Sequence, residues 1–328
     1  MVKKYDLVKE LYISAIKEVM SSPENWKSFL KSACHNYRLP FDEQLLVYAQ
    51  RSDATAVLEM ESWNTKFGRW VKKGSKAIAV LDKNSGTSRL KYYFDISDTQ
   101  EGRYRRLVRP VPVWEVKEEH YKKVQETLSH SFHVLQDTGF TDSIQEAAKN
   151  AAGDSMDDCL EDILSSRKGS LLENWSEKDI EVEIKNLLTE SISYLVMLRC
   201  GIDTETYYGD DSFKGITRLS SFRIMNLFGV AVSDTSERVL NQIGDTVKKL
   251  TLADKEDNRI FAGDKTSIYN ESRKTNTDSE RSFEDDDNTI QHTGGLLNLK
   301  ITYTYSLLIH CLQMPRRNQT IQKRSFCI

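Results

Sequence analysis

A chain of 328 residues, 39% hydrophobic and 29% charged, can bury a sizeable core and suggests about two domains. Fifteen Gly and five Pro exclude collagen-like and low-complexity fibres; five scattered Cys make no disulfide framework and fit a reducing cytosol. The net charge of −3 hides an asymmetry: twelve Lys/Arg against five Asp/Glu from Met60 to Pro110, and five against fourteen from Asp137 to Glu190.

Residues 4–20 read as an amphipathic helix, with Tyr5, Val8, Tyr12, Ala15, Ile16 and Val19 at helical spacing. Asp6, Lys9, Glu10 and Lys17 interrupt this stretch, so it does not read as a signal peptide. Ser22-Pro23 opens a second helix as N-cap and first helical residue, with Trp26, Phe29, Leu30 and Ala33 on its apolar face. Pro40 separates a third helix, about Asp42–Gln50, and Glu59–Phe67 makes a short fourth. Strands follow. Trp70-Val71 leads into the turn Lys73-Gly74-Ser75. Ala77–Leu81 and Leu90–Ile96 pair about the turn Asn84-Ser85-Gly86, and Val111–Val116 supplies a third strand.

From Lys117 the pattern is helical, over 117–135, 142–152, 156–166, 177–200 and 235–250. Ser176-x-x-Asp179 and Asp234-x-x-Glu237 resemble capping boxes, and Gly201 suits a helix stop. After about Asp254 the sequence GDKTSIYNESRKTNTDSERSFEDDDN is polar and reads as disordered. An apolar, β-prone stretch and a basic end close the chain. No run of about 18 apolar residues occurs, so no membrane partner is expected. The fold class is therefore α+β: a small hairpin-centred domain at 1–116, an all-α domain at 117–252, and a disordered or aberrant tail at 253–328.

The basic block interleaves Trp63, Phe67 and Trp70 with Lys66, Arg69, Lys72, Lys73 and Lys76. Single strands are held in this way: cations track phosphates and aromatic rings stack on bases. A second use of the same residues is structural, with both tryptophans in the core and the lysines on a solvated face. Gly74, between Lys73 and Ser75, suits a turn that needs positive φ or a close approach to phosphate.

The segments AQRSDATAVLEMESWN, GRWVKKGSKAIAVLD and YYFDISDT resemble the N-terminal domain of ArdC-type antirestriction proteins. They resemble most the version that begins large DNA methylase and helicase proteins of conjugative elements. ISYLVMLRCGID and DTSERVLNQIGDTVKKL fit the same family, so the resemblance covers about 20–252. It implies single-stranded DNA binding and a mobile-element origin, and it matches at Trp63, Arg69, Trp70, Lys73, Gly74 and Lys76. Members continue into a linker and catalytic modules. Residues 282–328 are expected to be aberrant sequence that ends a truncated gene.

Enzyme signatures are missing. None of the six His lies in a His-Glu-x-x-His motif, and no P-loop, Asn-Pro-Pro-Tyr, Gly-x-Ser-x-Gly or Cys-x-x-Cys occurs. His130 and His133 could share a helix face, and Asp95 and Asp98 could hold Mg²⁺ at a strand end. Exposed histidines and turn-capping carboxylates are the plainer readings.

The sequence thus points to a non-catalytic, cytoplasmic single-stranded DNA-binding protein without cofactor or metal. Trp63 and Trp70 are its stacking candidates. Its phosphate contacts are Arg51, Lys66, Arg69, Lys72, Lys73, Lys76, Arg89 and Lys91, with Gly74 in the turn. Its partners are single-stranded DNA and other DNA-processing proteins of a mobile element. The alternatives are an acidic DNA-mimic surface that docks a restriction enzyme, or an inactive N-terminal fragment of a methylase or helicase.

Overall fold

Amphipathic spacing and local capping set the first three helices. In α1 (Lys4–Val19) the residues Val8, Tyr12, Ala15, Ile16 and Val19 line one face, and all five are buried. α2 (Pro23–Ala33) starts where the Ser22 hydroxyl accepts from the Asn25 N–H at 3.2 Å, with Pro23 in the first turn. α3 (Phe41–Gln50) is buried on nearly every side. Its buried acids and amide are accordingly partnered. Asp42 pairs with Lys83 at 2.9 Å, Glu43 accepts from Tyr93 at 2.7 Å, and the Gln44 amide reaches Leu39 O and Ser233 Oγ. The structure, a computed structural model, describes residues 4–83, 88–102, 108, 111, 113–135 and 138–274, with side chains as far as Leu252.

Two small antiparallel sheets follow. β1 (Val57–Glu59), β3 (Ile78–Asp82) and β4 (Arg89–Asp95) form the first, in the order β1-β4-β3, with Ile78 opposite Tyr93 and Val57 opposite Asp95. α4 (Met60–Phe67) leaves β1 directly. β2 (Arg69–Val71) pairs with β5 (Thr99–Glu101) as a separate ribbon, with Trp70 opposite Gln100. The expected β3–β4 hairpin is present, and its Asn84-Ser85-Gly86 turn lies outside the described residues. The strand expected at Val111–Val116 is absent among the described residues there. Pro110 and Pro112 offer no N–H to a ladder, and Trp114 is buried instead against Tyr37, to whose hydroxyl its indole donates at 3.1 Å.

The remaining elements are helical: α5 (Tyr121–Phe132), α6 (Phe140–Asp154), α7 (Met156–Ser166), α8 (Glu177–Arg199) and α9 (Phe222–Lys274). Ser176 caps α8 through Asp179 N–H at 3.1 Å. Gly201 ends that helix with φ 77°, and Ile202 N–H returns to Met197 O at 3.0 Å. Asp234-x-x-Glu237 caps nothing, because it lies inside α9. That helix also corrects the expected start of the tail: residues 253–274 are helical. Polarity without Pro leaves helix-forming residues free to continue, so the composition that suggested disorder does not by itself break a helix. Residues 275–328, with the expected aberrant segment, lie outside the described residues.

Contacts divide the chain into Met1–Asp264 and Lys265–Ile328, so the expected boundary at residue 116 runs through one unit. The reason is a shared core. Trp26 of α2 stacks on Phe29, contacts Phe228 of α9, and donates its indole N–H to Ser191 of α8 at 2.9 Å. The fold is thus mixed α+β and mostly helical, with the three-stranded sheet packed on α1, α3 and α4 and the ribbon on α4. Among the described residues no helix is long and apolar enough to cross a membrane.

Candidate nucleic-acid interface

The basic block splits into a buried part and an exposed part. Trp63 faces inward from α4, is 0% exposed, and donates its indole N–H to Phe94 O at 2.8 Å. Its ring packs on Phe67 at 5.5 Å. Trp63 is thus a core residue and offers no face to a base, which removes it as a stacking candidate.

Trp70 lies on β2 and is 57% exposed. Gly102, just past β5, sits beneath its indole: a Cβ there would meet Trp70 Nε1 at 2.9 Å. A bare backbone at Gly102 therefore leaves room for the pyrrole edge of the indole, and more than half of the side chain stays open to solvent. Beyond Trp70, the Lys72 N–H donates to Asp98 O at 2.8 Å and closes the ribbon. Ser75 N–H then returns to Lys72 O at 3.2 Å across Lys73-Gly74, with Gly74 at φ 90°. Lys72, Lys73, Gly74 and Lys76 are all exposed at this turn, and Lys66 is exposed in the last turn of α4.

The cations differ in their freedom. Arg51 is engaged by Ser97 Oγ at 2.7 Å and by the carboxylates of Asp98, Asp53 and Asp95. Arg69 donates to Thr99 Oγ1 at 2.7 Å and lies 4.0 Å from Glu101. Lys91 is held by Glu43 at 3.4 Å and Asp82 at 3.9 Å. These three brace the fold and would have to leave carboxylates or hydroxyls to reach a phosphate. Lys72 is intermediate, since its ammonium donates to Ser97 O at 2.8 Å yet remains exposed. Lys66, Lys73, Lys76 and Arg89 make no ion pair among the described residues.

Asp95, considered above as a metal ligand, has a different task. Its carboxylate accepts from Thr55 N–H at 2.8 Å, Ala56 N–H at 3.0 Å, Ser97 N–H at 2.9 Å and Ser97 Oγ at 2.6 Å. Burial pushes this carboxyl up, but the hydrogen bonds from Ser97, Ala56 and Thr55 outweigh it and leave the pKa below the usual range. Asp95 fixes the loop on which β5 hangs. Among the described residues no group of three or more His, Cys, Asp or Glu converges as a metal set, and His130 and His133 are exposed. Cys34, Cys159 and Cys200 are buried, and burial pushes each thiol up to about 12, so none is a nucleophile at neutral pH.

Two features escaped the sequence reading. Gly102 and Gln100 alternate beside Trp70, a strand signal too short to notice in DTQEG. Tyr92 is the outward member of Tyr92-Tyr93, 38% exposed, with Lys4 over its ring at 4.6 Å. Strict alternation along LKYYFDI implies that one of the two tyrosines faces out. Comparison with protein-family models, curated proteins and solved structures returns no match.

Proposed function

We propose that this chain binds single-stranded DNA without catalysis, as a cytoplasmic protein of a mobile element with an ArdC-like N-terminal region. The observation that carries the reading is the exposed Trp70 ring on a braced ribbon, beside lysines that no carboxylate neutralises among the described residues. A base stacks on the open indole face, and Lys66, Lys72, Lys73 and Lys76 follow the phosphates on either side. Stacking of one base contributes about 1–3 kcal/mol. A duplex keeps its bases paired and inaccessible, so it gains only the ionic part.

A titration against single- and double-stranded oligonucleotides at two salt concentrations tests this. Micromolar or tighter binding to the single strand is expected, weaker to duplex, falling with salt as counterions are released. Absence of binding at low salt, or binding indifferent to salt, defeats the reading. The rival draws on α7, where Asp157, Asp158, Glu161 and Asp162 are all exposed. If that acidic face mimics DNA, the chain binds a basic partner protein and no oligonucleotide.

A further inference from the structure

Away from the ribbon, three cations gather around Trp114. Arg199, the last residue of α8, lies 3.7 Å over the Trp114 ring and donates from Nη2 to Trp114 O at 2.8 Å. Tyr37 packs edge-on to the same ring at 6.3 Å, and Arg38 lies 5.6 Å over Tyr37. α9 also meets this ring at its pyrrole edge: a Cβ on Gly244 would stand 2.6 Å from Trp114 Nε1. Lys248 is one turn further on the same helix face.

Among the described residues these three cations have one carboxylate partner between them. Lys248 has Asp245 at 3.3 Å, while Arg38 and Arg199 make no ion pair among the described residues. Arg199 and Lys248 are half-buried. The C-terminal carbonyl end of α8 offsets part of the Arg199 charge. Burial, and then Arg38, hold the Lys248 ammonium below its ordinary pKa, against the pull of Asp245. The chain has more acids than bases, so a cluster of like charge on three elements is an unfavourable arrangement that a bound anion relieves.

We propose that Arg38, Arg199 and Lys248 form an oxyanion site that takes a phosphate group, either free or in a nucleic-acid backbone. Two guanidiniums offer paired N–H donors that match phosphate oxygens, and Lys248 adds a point charge. The site does not depend on Trp70.

The test follows the thermal melt of the full chain at low ionic strength, with inorganic pyrophosphate compared with sodium chloride at matched ionic strength. At pyrophosphate about tenfold above its Kd, the midpoint should rise by about 3–5 °C beyond the chloride control. Arg38→Gln, at an exposed position, should match or exceed the wild-type midpoint without anion, because repulsion is relieved, and should lose most of the pyrophosphate shift. Lys248→Gln should lose the shift too. No shift beyond chloride overturns the site, as does an undiminished shift in both variants. An oligonucleotide arm separates the sources. A several-fold weaker single-strand affinity in Arg38→Gln assigns the site to the strand backbone; unchanged affinity with a lost pyrophosphate shift assigns it to free phosphate. A pyrophosphate shift in a wild-type protein that binds no oligonucleotide keeps this site while the interface reading falls.

Discussion

α4 and the β2–β5 ribbon are adjacent in sequence, carry one tryptophan each, and put it to opposite uses. In α4 the helical period turns Trp63 onto the sheet, where Phe94 O satisfies the indole N–H and the ring is sealed. In the ribbon, alternation turns Arg69 toward Thr99 and leaves Trp70 on the open side. A buried indole stabilises by area and a satisfied donor. An exposed indole loses that benefit and keeps its surface available to a partner. Interleaving of aromatics and cations is therefore not in itself a binding signal; the period of the element decides which ring is offered.

The comparison breaks most visibly at Trp63. Trp63→Ala should lower stability by about 3–5 kcal/mol through cavity formation and an orphaned carbonyl. A melt or denaturant titration measures it, and a loss under 1 kcal/mol would mean that the ring is not sealed. Asp95→Ala comes next, at about 2–4 kcal/mol, because the part-buried N–H donors of Thr55, Ala56 and Ser97 lose their charged acceptor. The pH dependence has a definite sign. The folded pKa of Asp95 is depressed, so its stabilisation is present above the unfolded value of about 3.9 and is lost as pH falls through the folded value. Melts from neutral to acid pH should therefore show a smaller acid loss in Asp95→Asn than in the wild type.

Trp70→Ala should leave the melting midpoint nearly unchanged and weaken single-strand binding by about 1–3 kcal/mol. The reverse pattern, a large melting loss with intact binding, would place Trp70 with Trp63. Lys73→Gln and Lys76→Gln should each reduce the slope of log affinity against log salt by about 0.7, whereas Arg51→Gln should act mainly on stability.

Much of this was legible beforehand. Capping by Ser22 and Ser176 and the apolar stripes of α1 and α8 are local signals, and the helices follow them closely. The β1 and β5 strands were not legible, because three-residue strands carry too little alternation to stand out. Nor was the single core. Trp26 shows in sequence as one apolar residue of a helix, with nothing to indicate that its partner is Ser191. The same limit applied to the site: the residue types were visible, but the carboxylates that occupy Arg51 and Lys91 come from distant positions.

The smallest expected effect is at Gly74, and it sharpens the comparison within the ribbon. Gly74 has φ 90° and nothing within 4 Å of where a Cβ would stand, so space for a methyl group is not the obstacle. The cost of Gly74→Ala is backbone strain alone, about 1 kcal/mol. The turn it permits sets where the exposed Lys73 and Lys76 leave the ribbon. If that placement matters, Gly74→Ala should weaken single-strand binding several-fold as the turn reshapes, while Gly169→Ala, at a φ of 77° in a loop between α7 and α8, should incur a similar strain and leave binding unchanged. Equal binding in the two variants would mean that the lysines act as a diffuse charge cloud, with Trp70 the only positioned contact.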